Sequence, residues 1–471
     1  MRQFTPAHRR AYRGLSALLF SLLLVSLLVA CGDNTATPAP AATTAAATTA
    51  AATTAAATTA AATTAAQATT AASATTAATT AAAATTAASG AATTAASSST
   101  GGDTTGVTDT EIVLGGWGPQ TGPAASYGTI DRTIAAYFKK VNDDGGINGR
   151  KIKFVYEDDG YVPARTVTAV KKLVEQDKVF ALVGGLGTAQ NVAVMDYLVK
   201  NNVPHIAPAT GSSLMCCQPL KKNIFALQTN YVVEGTLLAR YAVDNLKAKK
   251  AAIFYQNDPF GKEGLDAIQA ALKAKGLPAA DSVSYETTDK DLSSQALKLQ
   301  QTGADTVFLW STPQPTAGIL KEMDKLGFKP TTLMSGVNTD PAVIALAGSS
   351  IDGVWSTGWL PDYLDTKDPK TQSYLDFMKK YLPNEPIGGF SLTGMADAQL
   401  AVEGIKRAGK NLTREGLIAA METLNGWNDG LAYKVSYSPT NRQGQNAVTF
   451  FQANAKDKIF VKKSDIIEYT P

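Results

Sequence analysis

The strongest constraint on the fold is an alternation of strand-like and helix-like segments that occurs twice along the chain. The first series predicts strands at 111–117, 151–156 and 179–183, with helices at 127–141, 163–175 and 191–200. The second series predicts strands at 250–255, 282–285 and 306–310, with helices at 261–275, 292–301 and 317–326. Such alternation is typical of parallel sheets covered by helices, which bind ligands at the carboxyl ends of their strands. We therefore expect an α/β protein with two doubly wound parallel-sheet lobes, joined by a hinge, and a small-molecule site in the cleft between them.

The first thirty residues have the pattern of an export signal. Four arginines precede an apolar run at 15–30, which ends in Leu28-Val29-Ala30-Cys31. A basic segment before a short apolar one is typical of a signal peptide, and the run is short for a membrane span. The small residues before Cys31 resemble the lipobox of bacterial lipoproteins, in which this cysteine is acylated. The sequence predicts a signal peptide at 1–30 and lipidation of Cys31 at the outer face of the cytoplasmic membrane. The alternative is a one-pass membrane anchor.

Residues 31–105 consist largely of alanine and threonine, and repeats of Ala-Ala-Thr-Thr run through much of the segment. Branched threonine side chains lower helix propensity, and the segment has no apolar stripe that could pack against a core. It therefore predicts a disordered tether between the lipid and a folded part that begins near Gly106.

The charge balance gives no indication of a nucleic-acid partner. The chain has 43 Lys and Arg against 40 Asp and Glu. Without the four arginines of the signal, basic and acidic residues are nearly equal in number. A strongly basic surface, the usual mark of nucleic-acid binding, is therefore not expected.

The residue types needed for catalysis are scarce. His8 lies in the signal, and His205 lies in a short apolar segment where a structural role is the better interpretation. Residues 185–190, Gly-Leu-Gly-Thr-Ala-Gln, follow a strand as a dinucleotide fingerprint would, but the third glycine and the later acidic residue are missing. With three cysteines in the whole chain, a zinc site is also not expected. The sequence therefore predicts no enzyme, no cofactor and no metal.

Two loops offer groups that could bind a polar ligand. The glycine turn before Thr188 leads into a helix, whose first N–H groups and positive dipole end favour a carboxylate or another acceptor. The alternative is that the glycines only allow the turn to close. The next loop, 208–213, carries the hydroxyls of Thr210, Ser212 and Ser213, which suit a zwitterionic or amide ligand. A capped helix start explains the same residues equally well.

Cys216 and Cys217 are adjacent in the sequence. In an exported protein they could form a disulfide with each other. Two free thiols, or pairing with another molecule, are the alternatives.

Several motifs in a fixed order resemble those of leucine/isoleucine/valine-binding proteins. They are Gly122-Pro123, Ser126-Tyr127-Gly128, the glycine-rich segment 145–151, Glu157-Asp158-Asp159, Pro163-Ala164, the segment 255–261 and Thr302-Gly303-Ala304-Asp305. The resemblance covers nearly all of 106–467. It implies a type I periplasmic-binding fold, in which two lobes joined by three crossings close over a ligand. It also implies a monomeric, extracytoplasmic protein that delivers its ligand to ABC permease subunits.

The resemblance also implies the lobe boundaries and part of the ligand site. Lobe one is expected at 106–228 plus 360–446, and lobe two at 229–359 plus 447–471. The residues that match family positions around the ligand are Tyr127, Thr188 for the carboxylate, Ala209 for a backbone contact, a hydroxyl near Thr210 or Ser212, and Phe390. Further cleft candidates are Tyr161, Tyr231 and Trp359, with Tyr255, Trp310 and Asn338 expected nearby in lobe two.

One family feature is missing from the sequence. The glutamate that holds the ligand ammonium should fall near 336–338, where the residues are Gly, Val and Asn, and Asp340 is the nearest acid. The expected ligand is therefore a small amino acid, amide or related carboxylate rather than a branched-chain amino acid in particular. A ligand-sensing receptor module and a secreted α/β enzyme are the alternatives to a transport protein.

Overall fold

The computed structural model describes residues 102–217, 219–278 and 280–469. All of these belong to a compact unit that extends over 94–471. The predicted signal peptide, the predicted lipidation site Cys31 and most of the predicted tether lie outside the described residues. No helix among the described residues is long and apolar enough to cross a membrane.

The first sheet has five parallel strands in the order β2-β1-β3-β4-β5. They are β1 (Glu111–Gly118), β2 (Lys151–Asp158), β3 (Ala181–Val183), β4 (His205–Ile206) and β5 (Ile224–Phe225). The helices between them are α1 (Thr129–Asp143), α2 (Pro163–Lys171), α3 (Thr188–Lys200) and the short α4 (Ser213–Cys216). The register pairs Glu111 with Lys151 and Leu114 with Ala181, so the carboxyl ends of β1 and β3 meet at one edge.

The second sheet has a parallel part and an antiparallel edge. Its parallel strands are β6 (Ala251–Gln256), β7 (Asp281–Tyr285), β8 (Thr306–Trp310), β9 (Thr331–Met334) and β10 (Trp355–Gly358). The antiparallel strands are β11 (Ala447–Asn454), β12 (Ile459–Lys462) and β13 (Ile467–Glu468). The helices of this part are α5 (Tyr231–Asp244), α6 (Pro259–Ala274), α7 (Ser293–Gln301), α8 (Pro313–Lys325) and α9 (Pro341–Ala347). The α/β architecture with parallel sheets in two lobes is confirmed, and the antiparallel edge is an addition to it.

Three later helices complete the first lobe. They are α10 (Pro369–Tyr381), α11 (Gly389–Ala408) and α12 (Arg414–Met421). A Cβ at Gly394 would lie 2.3 Å from the carbonyl oxygen of Ile130, so glycine at this position lets α11 lie directly against α1. The chain therefore returns to the first lobe at α10–α12, after β6–β10 of the second lobe.

Three segments run between the two sheets: the first crossing contains Gln228 and Thr229, the second contains Trp359, and the third contains Gln443 and Gln445. The Gln443 side chain donates to the carbonyl of Gln228 at 2.8 Å, and the Gln445 side chain donates to the carbonyl of Trp359 at 3.1 Å. Thr229 Oγ1 donates to the carbonyl of Ala447 at 2.7 Å. Each crossing segment is thus hydrogen-bonded to another one, and these bonds hold the hinge segments together.

Several helices begin earlier than the apolar pattern predicts. Helix α8 begins at Pro313 rather than 317, and α6 begins at Pro259 rather than 261. Proline at the first helical position loses no hydrogen bond, and the Asp258 side chain accepts from Gly261 N–H at 3.0 Å. Tyr127, predicted to open a helix, lies in a 3-10 turn (Ala125–Gly128) before α1. Polar capping residues therefore extend helices beyond the apolar stripe.

The predicted end of the tether is wrong by a few residues. The Asp103 carboxylate pairs with Arg414 Nη1 at 2.7 Å, and the Arg414 N–H donates to the Asp103 carbonyl at 2.8 Å. The buried Arg414 also donates to the carbonyls of Val179 and Phe180. A buried arginine needs such partners, so residues 102–105 belong to the folded part.

The disulfide considered between Cys216 and Cys217 is not formed in the structure. Both are free thiols, with sulfur atoms 2.6 Å apart, whereas bonded sulfurs lie ~2.05 Å apart. The Asn230 side chain contacts the Cys216 sulfur at 3.3 Å, next to the start of α5. The pair is therefore two thiols beside the first crossing.

His205 has a structural environment. Its Nε2 donates to the carbonyl of Gly184 at 2.7 Å, and its ring packs against Trp117. Burial lowers the pKa of His205 to about 4, so the ring is neutral near pH 7. This agrees with the structural role expected from its apolar neighbours.

Candidate ligand-binding cleft

A cleft lies between the carboxyl ends of the first-sheet strands and those of β8, β9 and β10. The space between its walls measures about 860 Å³, including its mouth. Its lining side chains are aromatic, aliphatic, hydroxyl-bearing or amide, and all of them are uncharged. Across the described residues, no group of three or more His, Cys, Asp or Glu side chains is arranged to hold a metal ion.

One wall of the cleft is the N-terminus of α3. The turn after β3 contains Gly184, Gly185 and Gly187, whose φ angles are 75°, 88° and 102°. Only glycine adopts such angles without strain. The first helical bond runs from Asn191 N–H to the Gly187 carbonyl at 3.0 Å, so the preceding N–H groups of residues 188–190 have no helical partner. They provide a positive end of the helix beside the cleft.

Thr188 lies at the cleft, but the two hydroxyl residues predicted next to it do not. Thr188 Oγ1 and Thr210 Oγ1 are 2.7 Å apart, and Thr210 is fully buried behind the wall. Ser212 accepts from Leu214 N–H at 3.3 Å and caps α4. Neither Thr210 nor Ser212 lines the cleft in this structure: the Thr210 hydroxyl bonds to Thr188, and Ser212 caps a helix.

Ala209 lines the cleft as predicted, but its backbone groups are already bonded. Its N–H donates to the Gly185 carbonyl at 3.1 Å, and its carbonyl accepts from Gly187 N–H at 3.3 Å. These bonds join the ends of β3 and β4. Ala209 therefore contributes a small apolar surface next to Thr188.

Tyr127 and Phe390 form an aromatic side of the cleft. Their ring centroids are 4.7 Å apart with an interplanar angle of 52°. Tyr127 Oη donates to the carbonyl of Val337 across the cleft at 3.1 Å. Burial raises the pKa of Tyr127 well above its ordinary value, so the phenol stays neutral. The backbone N–H of Phe390 donates to Asp340 Oδ2 at 2.9 Å, and this hydrogen bond fixes the position of Phe390.

Tyr161, Tyr231 and Trp359 also line the cleft. Tyr161 has a φ of 63°, and its carbonyl accepts from the Gln190 side chain at 2.8 Å. This bond holds the Tyr161 loop against the start of α3. Tyr231 is buried at the start of α5, and Trp359 lies in the second crossing, where its carbonyl bonds to Gln445.

The opposite wall comes from the turn after β9. Gly336, Val337 and Thr339 line it, and the Glu234 carboxyl lies behind them. Glu234 Oε1 accepts from Gly336 N–H at 2.6 Å and from Thr357 Oγ1 at 2.9 Å. Burial raises the pKa of Glu234, while these hydrogen bonds oppose that rise. The carboxyl thus fixes the wall rather than facing the cleft.

Three residues expected near the ligand in lobe two are not part of the cleft lining. Trp310 is fully buried and packs on Tyr231 and Phe260. The Asn338 side chain donates to the Ser311 carbonyl at 2.7 Å, away from the cleft. Tyr255 packs in the core that covers the second sheet. Each of these three side chains packs within its own lobe.

Other lining residues were not predicted from the sequence. Gln228 lies in the first crossing, and its side-chain amide has no hydrogen-bond partner among the described residues. Thr312 and Tyr363 also line the cleft. The sequence gives no signal for Gln228, because crossing segments have no periodic pattern. Thr312, in contrast, follows β8 at the carboxyl end of a parallel strand, where ligand contacts are expected.

Comparisons with known proteins agree with this arrangement. The periplasmic binding protein family matches residues 111–458. Leu/Ile/Val-binding protein homolog 3 of Brucella melitensis is 26% identical over 300 residues, which are 64% of this chain and 80% of that protein. An amino acid binding protein of Pseudomonas aeruginosa is 28% identical over 250 residues, which are 52% of this chain and 67% of that protein.

Solved structures share the fold. A branched chain amino acid ABC transporter protein from Thermus thermophilus with bound valine has a TM-score of 0.70 and 22% identity, over 77% of this chain and 98% of that one. A fatty acid ABC transporter substrate-binding protein from Thermomonospora curvata has a TM-score of 0.71 and 24% identity, over 78% and 95%. These are binding proteins rather than enzymes. With the family match over most of its length, the chain belongs to the periplasmic binding protein family.

Proposed function

We propose that this protein is the lipid-anchored, substrate-binding component of an ABC importer, which captures a small ligand in the cleft and presents it to permease subunits. The observation that carries the proposal is the uncharged cleft at the N-terminus of α3. Free N–H groups at that end suit a carboxylate or an amide oxygen, and Thr188 adds a hydroxyl beside them. The aromatic side formed by Tyr127 and Phe390 suits the apolar body of the same ligand.

The names of the relatives support an importer and leave the ligand open. The Brucella melitensis relative is named for leucine, isoleucine and valine, and the Thermus thermophilus structure contains valine. The Thermomonospora curvata structure is named for a fatty acid. Both ligand types have a carboxylate and an apolar part, which are the two features that this cleft would bind.

A thermal-shift screen tests the proposed ligand binding. The purified protein would be heated with single amino acids, amides, ureas, and aliphatic and aromatic carboxylic acids. A ligand at 100 times its dissociation constant stabilises the folded state by about 2.7 kcal/mol, so a cognate ligand should raise the melting temperature clearly. The proposal is contradicted if no small molecule of these classes raises it.

The lipid anchor is tested separately. If Cys31 is acylated, Cys31→Ser should abolish incorporation of labelled fatty acid and leave the protein unprocessed. Cys217→Ser is the matched control, since Cys217 is an exposed thiol in the folded part. Equal lipid incorporation in the Cys31→Ser variant and the control would exclude the anchor.

A further inference from the structure

We propose that the ligand of this cleft has no ammonium group and is a carboxylic acid or an amide with an apolar body. This inference rests on the proposed function, because it concerns the ligand of the same site. It narrows the expected ligands from amino acids, amides and carboxylates to those that lack an amine.

The lining of the cleft is the first observation. Each lining residue is uncharged, and the polar members are tyrosines, threonines and Gln228. Burial raises the pKa values of Tyr127 and Tyr161 well above their ordinary value, so these phenols do not become phenolates near neutral pH. A ligand ammonium would therefore meet no negative charge on the cleft surface.

Two carboxyl groups close to the cleft form hydrogen bonds with other parts of the protein. Glu234 accepts from Gly336 N–H and Thr357 Oγ1, behind the second-lobe wall. Asp340 accepts from the N–H groups of Ala342 and Phe390, at 2.8 and 2.9 Å. These acids hold backbone segments in place, and neither of them lines the cleft.

Two carbonyl groups at the cleft each accept a hydrogen bond from within the protein. The Val337 carbonyl accepts from Tyr127 Oη, and the Ala209 carbonyl accepts from Gly187 N–H. An ammonium group has three donors and is strongly hydrated in water. Its transfer into a closed, uncharged cleft costs several kcal/mol unless an anion or several acceptors replace that water.

The same cleft has partners for an acid or an amide. The N–H groups at the start of α3 and the Thr188 hydroxyl offer donors for a carboxylate or carbonyl oxygen. The Gln228 side-chain amide can donate and accept hydrogen bonds, so it suits a second, uncharged polar group on the ligand. Tyr127, Phe390 and Trp359 provide the apolar surface for the remainder of the ligand.

Calorimetry with ligand pairs that differ only in the ammonium group tests this inference. Leucine would be compared with 4-methylpentanoate, and phenylalanine with 3-phenylpropanoate and 3-phenylpropanamide, on the purified protein at pH 7. At least one amine-free compound should bind about tenfold or more tightly than its amino acid, because it avoids desolvation of the ammonium. Tighter or equal binding of the amino acids would overturn the inference. So would failure of every amine-free compound to bind, while a ligand found in the wider screen would still support the proposed function.

A pair of variants provides the matched control. Val337 lines the cleft, so Val337→Glu places a carboxylate there, whereas Val337→Gln adds a side chain of similar size without the charge. Val337→Glu should shift the preference toward the amino acid by about tenfold or more, and Val337→Gln should not. An equal shift in both variants would overturn the inference, because size rather than charge would then decide the preference. If Val337→Glu does not fold, the ligand pairs on the unchanged protein decide the question.

Discussion

Tyr127 Oη donates a hydrogen bond to the backbone carbonyl of Val337 at 3.1 Å, and this bond joins the two lobes across the cleft. Tyr127 follows β1 in the first lobe, and Val337 follows β9 in the second. The N–H of Phe390 forms a further bridge, to Asp340. The lobes are thus held together by groups that also line or support the cleft.

Removal of the Tyr127 hydroxyl should loosen this closed arrangement. A hydrogen bond contributes ~0.5–1.5 kcal/mol net, so Tyr127→Phe should shift the balance between closed and more open forms by about two- to tenfold. Small-angle X-ray scattering of the unliganded protein should then give a larger radius of gyration. Tyr255→Phe is the control, because Tyr255 lies in the second lobe outside the cleft. The bridge is unimportant for closure if both variants scatter like the unchanged protein.

The buried carboxyl of Asp131 should make stability depend on pH. Asp131 Oδ2 accepts from the Gln120 side chain at 3.0 Å, and Oδ1 has no partner among the described residues. Burial, and then the negative charge of Asp159, raise the pKa of Asp131 to about 7. The folded protein therefore keeps this proton at pH values where the unfolded chain has released it. The free energy of unfolding should fall as pH rises from about 4 to about 7, by an amount on the order of a few kcal/mol.

Asp131→Asn should make that fall smaller, since the amide keeps the bond from Gln120 and does not ionise. Urea unfolding at several pH values between 4 and 8 would measure the slope. Asp196→Asn is the control, because Asp196 is exposed on α3. A slope that Asp131→Asn leaves unchanged would mean that other groups cause the pH dependence.

Cys216 and Cys217 should react at different rates. Cys216 is buried and Cys217 is exposed. The hydrogen bond between the two thiols, together with burial, raises the pKa of Cys216, and the same bond lowers the pKa of Cys217. Because the thiolate is the nucleophile, iodoacetamide should modify Cys217 first in the folded protein. Mass spectrometry of timed samples would show this, and equal rates at both positions would contradict it.

Much of the fold follows from local patterns. The strand predicted at 306–310 is β8 (Thr306–Trp310), because the short length of this apolar segment and its β-branched and aromatic residues favour a strand over a helix. Helix starts were predicted less well, since Asp258 and proline caps extend α6 and α8 beyond their apolar stripes. The antiparallel strand β11 pairs with β10, which lies far earlier in the chain, and periodicity does not reveal such a pairing.

The first-lobe side of the cleft follows most directly from the sequence. Thr188 and Ala209 follow parallel strands, so topology alone brings them to one edge of the sheet. Gln228 and Trp359 come from crossing segments, whose places depend on hydrogen bonds with Gln443 and Gln445 far along the chain. The sequence does not reveal that the Thr210 hydroxyl bonds to Thr188 and lies outside the cleft lining.

The central claim is that the ligand's acceptor end binds at the start of α3, beside Thr188. Thr188→Val removes the hydroxyl and keeps the shape of the side chain, while Thr210 Oγ1 keeps its bond from Ser212 N–H at 3.2 Å. Stability without ligand should therefore fall by only about 1 kcal/mol. Thr168→Val on the exposed face of α2 is the control.

Calorimetry with the ligand that binds best in the screen tests this claim directly, because it measures the dissociation constant of each variant. Loss of a hydrogen bond to a charged group costs ~1.5–3 kcal/mol, so Thr188→Val should weaken a carboxylate ligand about ten- to a hundredfold, and an amide somewhat less. Thr168→Val should leave the dissociation constant unchanged. A dissociation constant that Thr188→Val also leaves unchanged would contradict the account and place the ligand elsewhere.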